Sequence, residues 1–484
     1  MVKLTRTLHD LRADPSRLVT RPFIPGSMNF AGDQSRVDRI VHRILELPEA
    51  ERRTLLDSLI LRHGQRFSDI ETTWLAHFDL AQQRVDALSK VTDRERRLLV
   101  GAYLTQAYAY ESVALTNPSM VPLGEGAAGV QRFVMSARAI GEGHISSIAF
   151  LTGSVDPSGA VYLEERHPHV SNGRRNAPAY SKTAFADKLD ELGFVSGASQ
   201  GILALVGDTF TIDDLEVALA KILESDFDVV VIQDAVKRVH WLAASNYEVT
   251  FDPAMPISEH VISPAAPIES QGMEDARFVR FTDDDGSTIY YATYTAFDGV
   301  RILPQLMETR DFIRFRMSTM TGPAVHHKGM AVFPRKIQGD YVALSRHDHE
   351  RSYIMRSDSV RSWRNAEMVF GPEYEWDTIQ TGNCGSPVET EEGWLVVTHG
   401  VGPMRRYVLG AVLLDLDEPT KVVARLPHPF IEPEGGETDG YVPDVVYSCG
   451  SMLHNGNLIT PFGYADVGIK IAVTPLDELI AAMH

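Results

Sequence analysis

The sequence predicts a mainly β protein interrupted by two helical blocks. From Tyr247 onward, short runs of β-branched and aromatic residues recur between Gly, Pro and Asp, a pattern typical of sandwiches, barrels and propellers. Before that point, apolar residues recur every three or four positions from about 36 to 109 and from about 183 to 244, which predicts amphipathic helices. Residues 1 to about 30 combine several prolines with basic side chains and predict an irregular arm.

The composition is typical of a globular protein, and the net charge disfavours two kinds of binding protein. The chain has 484 residues, of which 44% are hydrophobic and 23% are charged, a balance typical of globular proteins. Its formal net charge of -19 disfavours a general nucleic-acid or anionic-membrane binder, because both require a positive surface. The two cysteines, the lack of a signal-peptide core and the lack of a membrane-length apolar run favour a cytoplasmic protein without a disulfide framework.

The sequence predicts two β-hairpins, each formed by two strand-like runs that are adjacent in the chain. Arg132 to Ala139 and Ile145 to Phe150 are joined across a glycine-containing turn. Phe278 to Phe281 and Ile289 to Ala296 are joined by an Asp/Gly turn. Strand-like runs separated by such turns indicate antiparallel pairs.

A Glu-Asp-x-Arg cluster begins the second hairpin. Glu274 and Asp275 are adjacent, so in an extended chain they point to opposite sides and only one can face a given cleft. Arg277 shares the face of Asp275 and could hold its carboxylate. The alternative is a surface ion pair at a strand end, which is a common and weak interaction.

The residues around this cluster resemble the signature of glycoside hydrolase family 130, the β-mannoside phosphorylases and their hydrolase relatives. The similarity lies in Gly272 to Val279 and in Tyr290 to Phe297. It extends over 247–484 and, less closely, over 115–165, whereas the two helical blocks have no counterpart. In that family the Asp of the motif is the general acid, which implies that role for Asp275.

The resemblance also implies a fold, a five-bladed β-propeller with its site at the central axis. The helical segments are then additions to it. The expected division of the chain is an N-terminal arm and helical lobe at 1–110, a first blade region at 111–180, a helical insertion at 181–246, and the remaining blades with the C-terminal closure at 247–484.

Four basic positions match those that bind phosphate in the family. Phosphate needs a cationic pocket, since Lys and Arg bind it through charge and hydrogen bonds. These positions are Arg138, Lys328, Arg346 and His399. Next to Lys328, His327 replaces the more usual Asn. For each basic residue a solvent-exposed strand end remains the alternative, and His399 could instead be a hydrogen-bonded core histidine.

Further positions correspond to sugar contacts in the family. Asp466 matches a carboxylate that contacts sugar hydroxyls, and Asn117 lies in the first-blade segment that also contacts the sugar. Glu274 and Arg277 of the motif complete the expected substrate-binding set.

The resemblance implies an inverting phosphorylase that cleaves β-mannosides, with β-1,2-linked manno-oligosaccharides as one candidate substrate, to give α-mannose 1-phosphate. One alternative is an inverting β-mannosidase, in which Glu142 or Asp311 would activate water. The other is a non-catalytic sugar-binding propeller. The expected partners are an oligosaccharide and inorganic phosphate as co-substrate, with no other cofactor, no metal, no nucleic acid and no membrane. The helical segments are the first candidates for a homo-oligomer contact.

Overall fold

A computed structural model of the protein describes residues 2–25, 36–67, 69–82, 85–124, 129–224 and 228–484. The chain forms two compact units. The smaller unit contains Asp14–Tyr110 and His167–Asn172, and the larger contains Met1–Ala13, Glu111–Arg166 and Gly173–His484.

The α-helices of the described chain fall into two consecutive groups and a single C-terminal helix. They are α1 (Arg36–Leu45), α2 (Glu49–Gly64), α3 (Ile70–Gln82), α4 (Arg94–Tyr103), α5 (Lys182–Glu191), α6 (Gly197–Ala204), α7 (Ile212–Ile222), α8 (Val229–Ala244) and α9 (Leu476–Ala481). None of the helices in the described ranges combines the length and apolar character needed to cross a lipid bilayer.

In the described chain, β-strands are more frequent after the second helical group than before it. Those up to the second helical group are β1 (Thr5–Arg6), β2 (Leu11–Arg12), β3 (Leu18–Pro22), β4 (Thr105–Ala109), β5 (Ala114–Pro122), β6 (Gln131–Ile140), β7 (Ser146–Val155), β8 (Val161–Leu163), β9 (Arg174–Asn176), β10 (Tyr180–Ser181) and β11 (Thr209–Phe210). The next are β12 (Tyr247–Thr250), β13 (Val261–Ile262), β14 (Gly272–Thr282), β15 (Thr288–Phe297), β16 (Ile302–Thr309), β17 (Arg314–Thr319), β18 (Ala331–Val332), β19 (Tyr341–Ser345), β20 (Ser352–Ser357) and β21 (Ala366–Phe370). The last are β22 (Gln380–Asn383), β23 (Val388–Glu389), β24 (Trp394–Val401), β25 (Tyr407–Leu414), β26 (Val422–Arg425), β27 (Val446–Tyr447), β28 (Met452–His454), β29 (Asn457–Tyr464) and β30 (Gly468–Pro475).

The smaller unit is mainly helical. It contains α1 to α4 and an antiparallel pair of β3 with β4. Its core includes Val37, Val41 and Ile44, which recur at helical spacing and therefore lie on one face of α1. The helices predicted from about 36 to 109 are confirmed, except that the final stretch forms β4.

The second helical group, α5 to α8, belongs to the larger unit and is also confirmed. Leu215, Leu219 and Ile222 of α7 are buried in its apolar core. The hydroxyl of Thr211 accepts a hydrogen bond from the Asp214 N–H, and the Asp214 carboxylate accepts one from the Thr211 N–H. This reciprocal capping satisfies N–H groups that a helix start leaves unpaired.

The larger unit is mainly β, as predicted. An eleven-stranded sheet runs in the order β5-β6-β7-β14-β15-β16-β17-β12-β9, with β8 and β13 also paired to β7. Both predicted hairpins are confirmed as the antiparallel pairs β6–β7 and β14–β15. Among the described residues, backbone pairing between the two halves of this sheet is confined to Gly272 of β14 and Ser146 of β7.

The remaining strands form smaller sheets. β18 to β21 form a four-stranded sheet, β22 to β26 a five-stranded sheet, and β10 with β11 a separate pair. A six-stranded sheet combines β27 to β30 with the N-terminal strands β1 and β2. The predicted irregular arm is therefore wrong for three segments. Thr5–Arg6 and Leu11–Arg12 gain strand structure by pairing with β30, and Leu18–Pro22 gains it by pairing with β4. Residues 26–35 lie outside the described residues.

In chain order the strands of the larger unit, apart from the β10–β11 pair, form five groups: β5 to β8 with β13, β14 to β17 with β9 and β12, β18 to β21, β22 to β26, and β27 to β30 with β1 and β2. Hydrogen bonds link each group to the next. The Phe278 N–H donates to Ser119 Oγ at 3.0 Å, and Asn383 Nδ2 donates to the Gly329 carbonyl at 2.9 Å. The remaining links are from Thr293 Oγ1 to the Met330 carbonyl, from the Tyr407 N–H to the Asp444 carbonyl and from the Cys449 N–H to the Pro118 carbonyl.

The guanidinium of Arg277 lies where the strand groups meet. Only 1% of the residue is exposed. Its Nη1 donates to the Asp275 carbonyl, its Nε to the Cys384 carbonyl and its Nη2 to the Tyr447 hydroxyl, each at 3.0 Å. Because these acceptors belong to β14, to the segment after β22 and to β27, one side chain holds three groups of strands together.

Replacing Arg277 by Met should destabilise the protein by about 3–5 kcal/mol, because three buried acceptors lose their donor. Denaturant unfolding measures this loss. The matched control is Arg280→Met, on the same strand but partly exposed, for which we expect less than about 1 kcal/mol. Equal effects of the two substitutions would contradict the proposed role of Arg277.

Candidate active site

A cavity of about 370 Å³ in the larger unit collects most of the predicted site residues. Those that line it are Asn117, Asp275, Lys328, Arg346 and Asp466. They come from the first, second, third and last groups of strands in chain order, so the fold brings together residues separated by as many as 349 positions.

A backbone irregularity positions the acidic motif. The pairing of β14 with β15 shifts register between Glu274 and Arg277, and Asp275 has a φ of 55°. The bulge breaks the strand alternation. Arg138 therefore reaches both carboxylates, with Nη2 2.7 Å from Glu274 Oε1 and Nη1 3.8 Å from Asp275 Oδ1. Only Asp275 lines the cavity, so the prediction that one of the two carboxylates faces the cleft is confirmed.

Asn117 and Asp466 share the unusual backbone of Asp275. Their φ values are 48° and 50°, in the left-handed region that Asn and Asp tolerate better than most residues. Asn117 Nδ2 donates to Asp275 Oδ1 at 2.6 Å, and Thr116 Oγ1 donates to Asp466 Oδ1 at 3.3 Å. Such strained conformations concentrate at functional sites, and here they gather three polar side chains at one cavity.

The two cavity aspartates differ in acidity. Burial opposes the ionisation of Asp275, but the charges of Arg138, Arg277 and Lys328 and the Asn117 hydrogen bond outweigh it, so its pKa lies below the usual value. Burial raises the pKa of Asp466, and the nearby charge of Asp275 acts in the same direction. The cavity therefore holds one carboxylate that favours its charged form and one that is easier to protonate.

Glu274 is the counterion of two predicted phosphate-binding residues. Its Oε1 accepts from Arg138, and its Oε2 accepts a short hydrogen bond from Lys328 Nζ. The Glu274 side chain is 12% exposed, whereas that of Lys328 is 37% exposed. An anion entering the cavity would therefore compete with Glu274 for these two cations.

Arg346 differs from that pair, because it contacts neutral side chains rather than a carboxylate. Its Nη1 lies 3.2 Å from His399 Nε2. Burial and the charges of Arg346 and Arg277 lower the pKa of His399 well below its usual value, so the ring is neutral. With the Gln380 amide oriented to satisfy both of its ends, its oxygen accepts from both Arg346 Nη1 and His399 Nε2. A Cβ on Gly329 would lie 2.5 Å from Arg346 Nε, so the glycine leaves room for this side chain.

Four predicted site residues do not line the cavity: Arg138, Glu274, Arg277 and His399. His399 is fully buried and contacts the cavity-lining residues Arg346, Gln380, Tyr407 and Tyr447 from behind. Arg277 contacts the carbonyl of Asp275 rather than its carboxylate, contrary to the expected contact, because the bulge turns the Asp275 side chain away. Their roles in phosphate and substrate binding stay predictions.

Other cavity residues were not identified from the sequence. His327 and His349 line the wall near Lys328, with ring centroids 3.9 Å apart. Arg405 and Tyr407 line the wall formed by the start of β25. Of these four residues, His327 alone differed from the family motif in a way that the sequence shows. A single polar residue at a strand end has the same sequence pattern whether it faces solvent or a cavity.

The predicted alternative bases lie elsewhere. Asp311 accepts hydrogen bonds from the N–H groups of Ile313 and Arg314, both at 2.9 Å, in the turn between β16 and β17. Glu142 lies in the short turn before β7. Within the described ranges, no group of three or more His, Cys, Asp or Glu side chains is arranged to hold a metal ion.

Comparison with known proteins identifies similar chains. The sequence model of glycoside hydrolase family 130, described as β-1,4-mannooligosaccharide phosphorylase, matches residues 243–484. A 1,2-β-oligomannan phosphorylase from a Thermoanaerobacter species is 34% identical over 232 residues, which cover 46% of this chain and 75% of that protein. A β-1,2-mannobiose phosphorylase from Listeria innocua is 31% identical over 217 residues, covering 43% of this chain and 59% of that protein.

Among solved structures, a β-1,2-mannobiose phosphorylase from Listeria innocua in complex with β-1,2-mannobiose aligns with a TM-score of 0.45 and 20% identity. The alignment covers 76% of this chain and 92% of that chain.

The depressed pKa of Asp275 makes a prediction about stability. Its contribution to the free energy of unfolding is complete above the unfolded-state pKa and is lost as the pH falls through the lower native pKa. The stability difference between the wild-type protein and Asp275→Asn should therefore shrink toward acid. Denaturant unfolding from about pH 3 to pH 7 measures it, and a difference that grows on acidification would contradict the assignment.

Proposed function

Because the chain belongs to glycoside hydrolase family 130, we propose that it is an inverting phosphorylase that cleaves β-mannosides with inorganic phosphate to give α-mannose 1-phosphate. The observation that carries this proposal is that Asp275 shares one cavity with Lys328 and Arg346. A carboxyl group and a cluster of cations are the two requirements of acid-assisted attack by phosphate.

In the proposed reaction, a phosphate oxygen attacks the anomeric carbon on the face opposite the leaving sugar. The bond to the glycosidic oxygen breaks, and the leaving oxygen receives the proton of Asp275. In the family this proton is thought to pass through a sugar hydroxyl. The proton carried by hydrogen phosphate can restore Asp275, so the reaction needs no second carboxylate as base.

Asp275 must be protonated before it can act as an acid, and the charges around it indicate how phosphate binding would favour this. In the free protein, Asp275 favours its charged form because Arg138, Arg277 and Lys328 oppose the effect of burial and hold its pKa below the usual value. Phosphate bound to Lys328 and Arg346 would neutralise part of that positive charge and raise the pKa of Asp275. We propose that phosphate binding thereby prepares the general acid as well as supplying the nucleophile.

The sugar-binding roles follow from the same cavity. Asn117 and Asp466 line it, and both are proposed to bind hydroxyl groups of the mannosyl unit. Glu274 is proposed to hold Arg138 and Lys328 until phosphate replaces it, rather than to contact sugar directly. Arg277 and His399 are proposed to position Asp275 and Arg346, respectively.

The proposed substrates are β-1,2-linked manno-oligosaccharides. Two of the related proteins are named for β-1,2-linked substrates, whereas the family description names a β-1,4 linkage. Assays of β-1,2- and β-1,4-linked mannobiose with and without phosphate distinguish these linkages. A β-mannosidase remains the second candidate, and it would act equally well without phosphate.

We also propose the five-bladed β-propeller for the larger unit. The eleven-stranded sheet divides naturally at its single Gly272–Ser146 pair, which leaves five successive groups of antiparallel strands. Pairing of β1 and β2 with β30 joins the chain start to its last group. The four-part division at 110, 180 and 246, a cytoplasmic location and an oligomer contact through the helices are retained as proposals.

Substitution of the proposed general acid should abolish turnover while the fold persists. We expect Asp275→Asn to lower kcat/KM for phosphorolysis by about 10²–10⁴-fold, the usual contribution of a general acid. The matched control is Asp285→Asn, in the turn of the same hairpin, which should retain activity. Full activity of Asp275→Asn with an unchanged melting temperature would exclude the proposed role.

Phosphate affinity should respond in opposite directions to two substitutions. Lys328→Met removes a cation and should weaken phosphate binding about tenfold, whereas Glu274→Gln removes the competing anion and should strengthen it by a similar factor. Titration calorimetry with inorganic phosphate measures both constants. Weaker binding by both variants would contradict the competition between Glu274 and phosphate.

A further inference from the structure

A second cavity lies on the other side of β25. Its volume is about 360 Å³, close to that of the candidate active site. Arg405 and Tyr407 line the active-site cavity, whereas the alternate residues Arg406 and Val408 line the second one. Because successive side chains of a strand point to opposite faces, β25, which begins at Tyr407, borders one cavity through Tyr407 and the other through Val408.

The floor of this second cavity is aromatic. Tyr374 and Trp376 both line it, and their rings are stacked with centroids 5.9 Å apart and planes only 15° apart. Pro403 and Pro427 add further apolar surface. A flat ligand with an apolar face could stack against this floor.

The floor is rigid before any ligand arrives. Trp376 Nε1 donates to the Pro427 carbonyl at 3.0 Å, and a Cβ on Gly400 or Gly410 would lie 2.3 or 2.4 Å from the indole. The buried Asp377 accepts from the Tyr374 N–H at 2.7 Å and from Arg425 Nη2 at 3.1 Å. Preorganisation of this kind lowers the entropy cost of binding.

Polar groups form the rim. Glu375 and His428 are exposed, and Arg406 is 39% exposed while its Nη1 lies 2.6 Å from Glu432 Oε2. These groups provide both donors and acceptors around an apolar floor. A carboxylate on the rim and a net charge of -19 argue against a polyanionic ligand such as a nucleotide.

We propose that this cavity is a second carbohydrate-binding site, which takes a pyranose unit of a manno-oligosaccharide. A pyranose has C–H groups on its faces and hydroxyl groups around its edge, which matches an aromatic floor with a polar rim. Its identification as a site for manno-oligosaccharide rests on the proposed function, whereas its fit to a pyranose does not. The bound unit would belong either to the far end of the substrate or to a separate saccharide chain.

Binding is tested in the full-length Asp275→Asn protein in the absence of phosphate, which prevents phosphorolysis, with a β-1,2-linked mannotetraose as the probe. Calorimetry should detect two sites. Arg406→Ala combined with His428→Ala should weaken one site about tenfold and leave the other unchanged. The control Arg364→Ala removes an exposed cation elsewhere and should retain both sites. A single site in the parent protein, or two unchanged sites in the double variant, would overturn the proposal.

Fluorescence gives an independent readout that preserves the floor. The described lining of the active-site cavity contains no tryptophan, so a saccharide-dependent change in indole emission reports the second site. That change should disappear in Trp376→Phe, which keeps an aromatic ring but loses the hydrogen bond to the Pro427 carbonyl, so its folding is checked separately by thermal unfolding. An unchanged signal in this variant would contradict the assignment.

Kinetics show whether the bound sugar is the far end of the substrate or a separate saccharide chain. They also distinguish failure of the second-site proposal from failure of the proposed function. With Asp275 intact, the rim substitutions should leave KM for mannobiose unchanged. A higher KM for mannotetraose indicates the far end of the substrate, and an unchanged KM indicates a separate chain; both outcomes support the site when calorimetry shows it. Absence of phosphorolysis in the wild-type protein would refute the proposed function and leave the calorimetric test of the second site standing.

Discussion

The position of the candidate acid depends on one buried guanidinium. Arg277 donates to three acceptors that come from three different groups of strands, and one of these acceptors is the carbonyl of Asp275 itself. The bulge at 274–277 is thereby fixed at the point where the strand groups meet. Loss of that contact would release the left-handed conformation of Asp275, and with it the direction in which the carboxylate points.

The site concentrates positive charge in an otherwise acidic protein. Arg138, Lys328 and Arg346 converge on or beside the cavity, although the net charge of the chain is -19. Glu274 balances two of these cations in the free protein, whereas Arg346 contacts the neutral side chains of His399 and Gln380. Such an arrangement can accept an anion by exchange of partners, because Glu274 pairs with two of the cations until the anion arrives.

The sequence was sufficient to predict the parts of the structure that depend on local periodicity and turns. The two helical groups and both hairpins follow from spacing and turn residues, and the family motif directed attention to Asp275. Most of the polar residues chosen by resemblance do line one cavity. These successes share a cause, since each signal lies within a short stretch of chain.

What the sequence did not reveal depends on contacts between distant residues. The bulge between Glu274 and Arg277 cannot be seen in an alternating strand pattern, so the expected contact of Arg277 with the Asp275 carboxylate was wrong. β1 and β2 were missed because β30 supplies their hydrogen bonds from the other end of the chain. Burial of His399 and the approach of Arg405 to the cavity likewise depend on packing between strand groups, which no single segment encodes.

The central claim is that phosphate and Asp275 act on opposite faces of the same sugar. The most direct measurement is a crystal structure of Asp275→Asn with phosphate and a β-1,2-linked mannobiose. We expect phosphate oxygens within hydrogen-bond distance of Lys328 and Arg346, on the face of the anomeric carbon opposite the glycosidic oxygen. Phosphate bound outside this cavity, or on the same face as the leaving sugar, would contradict the account.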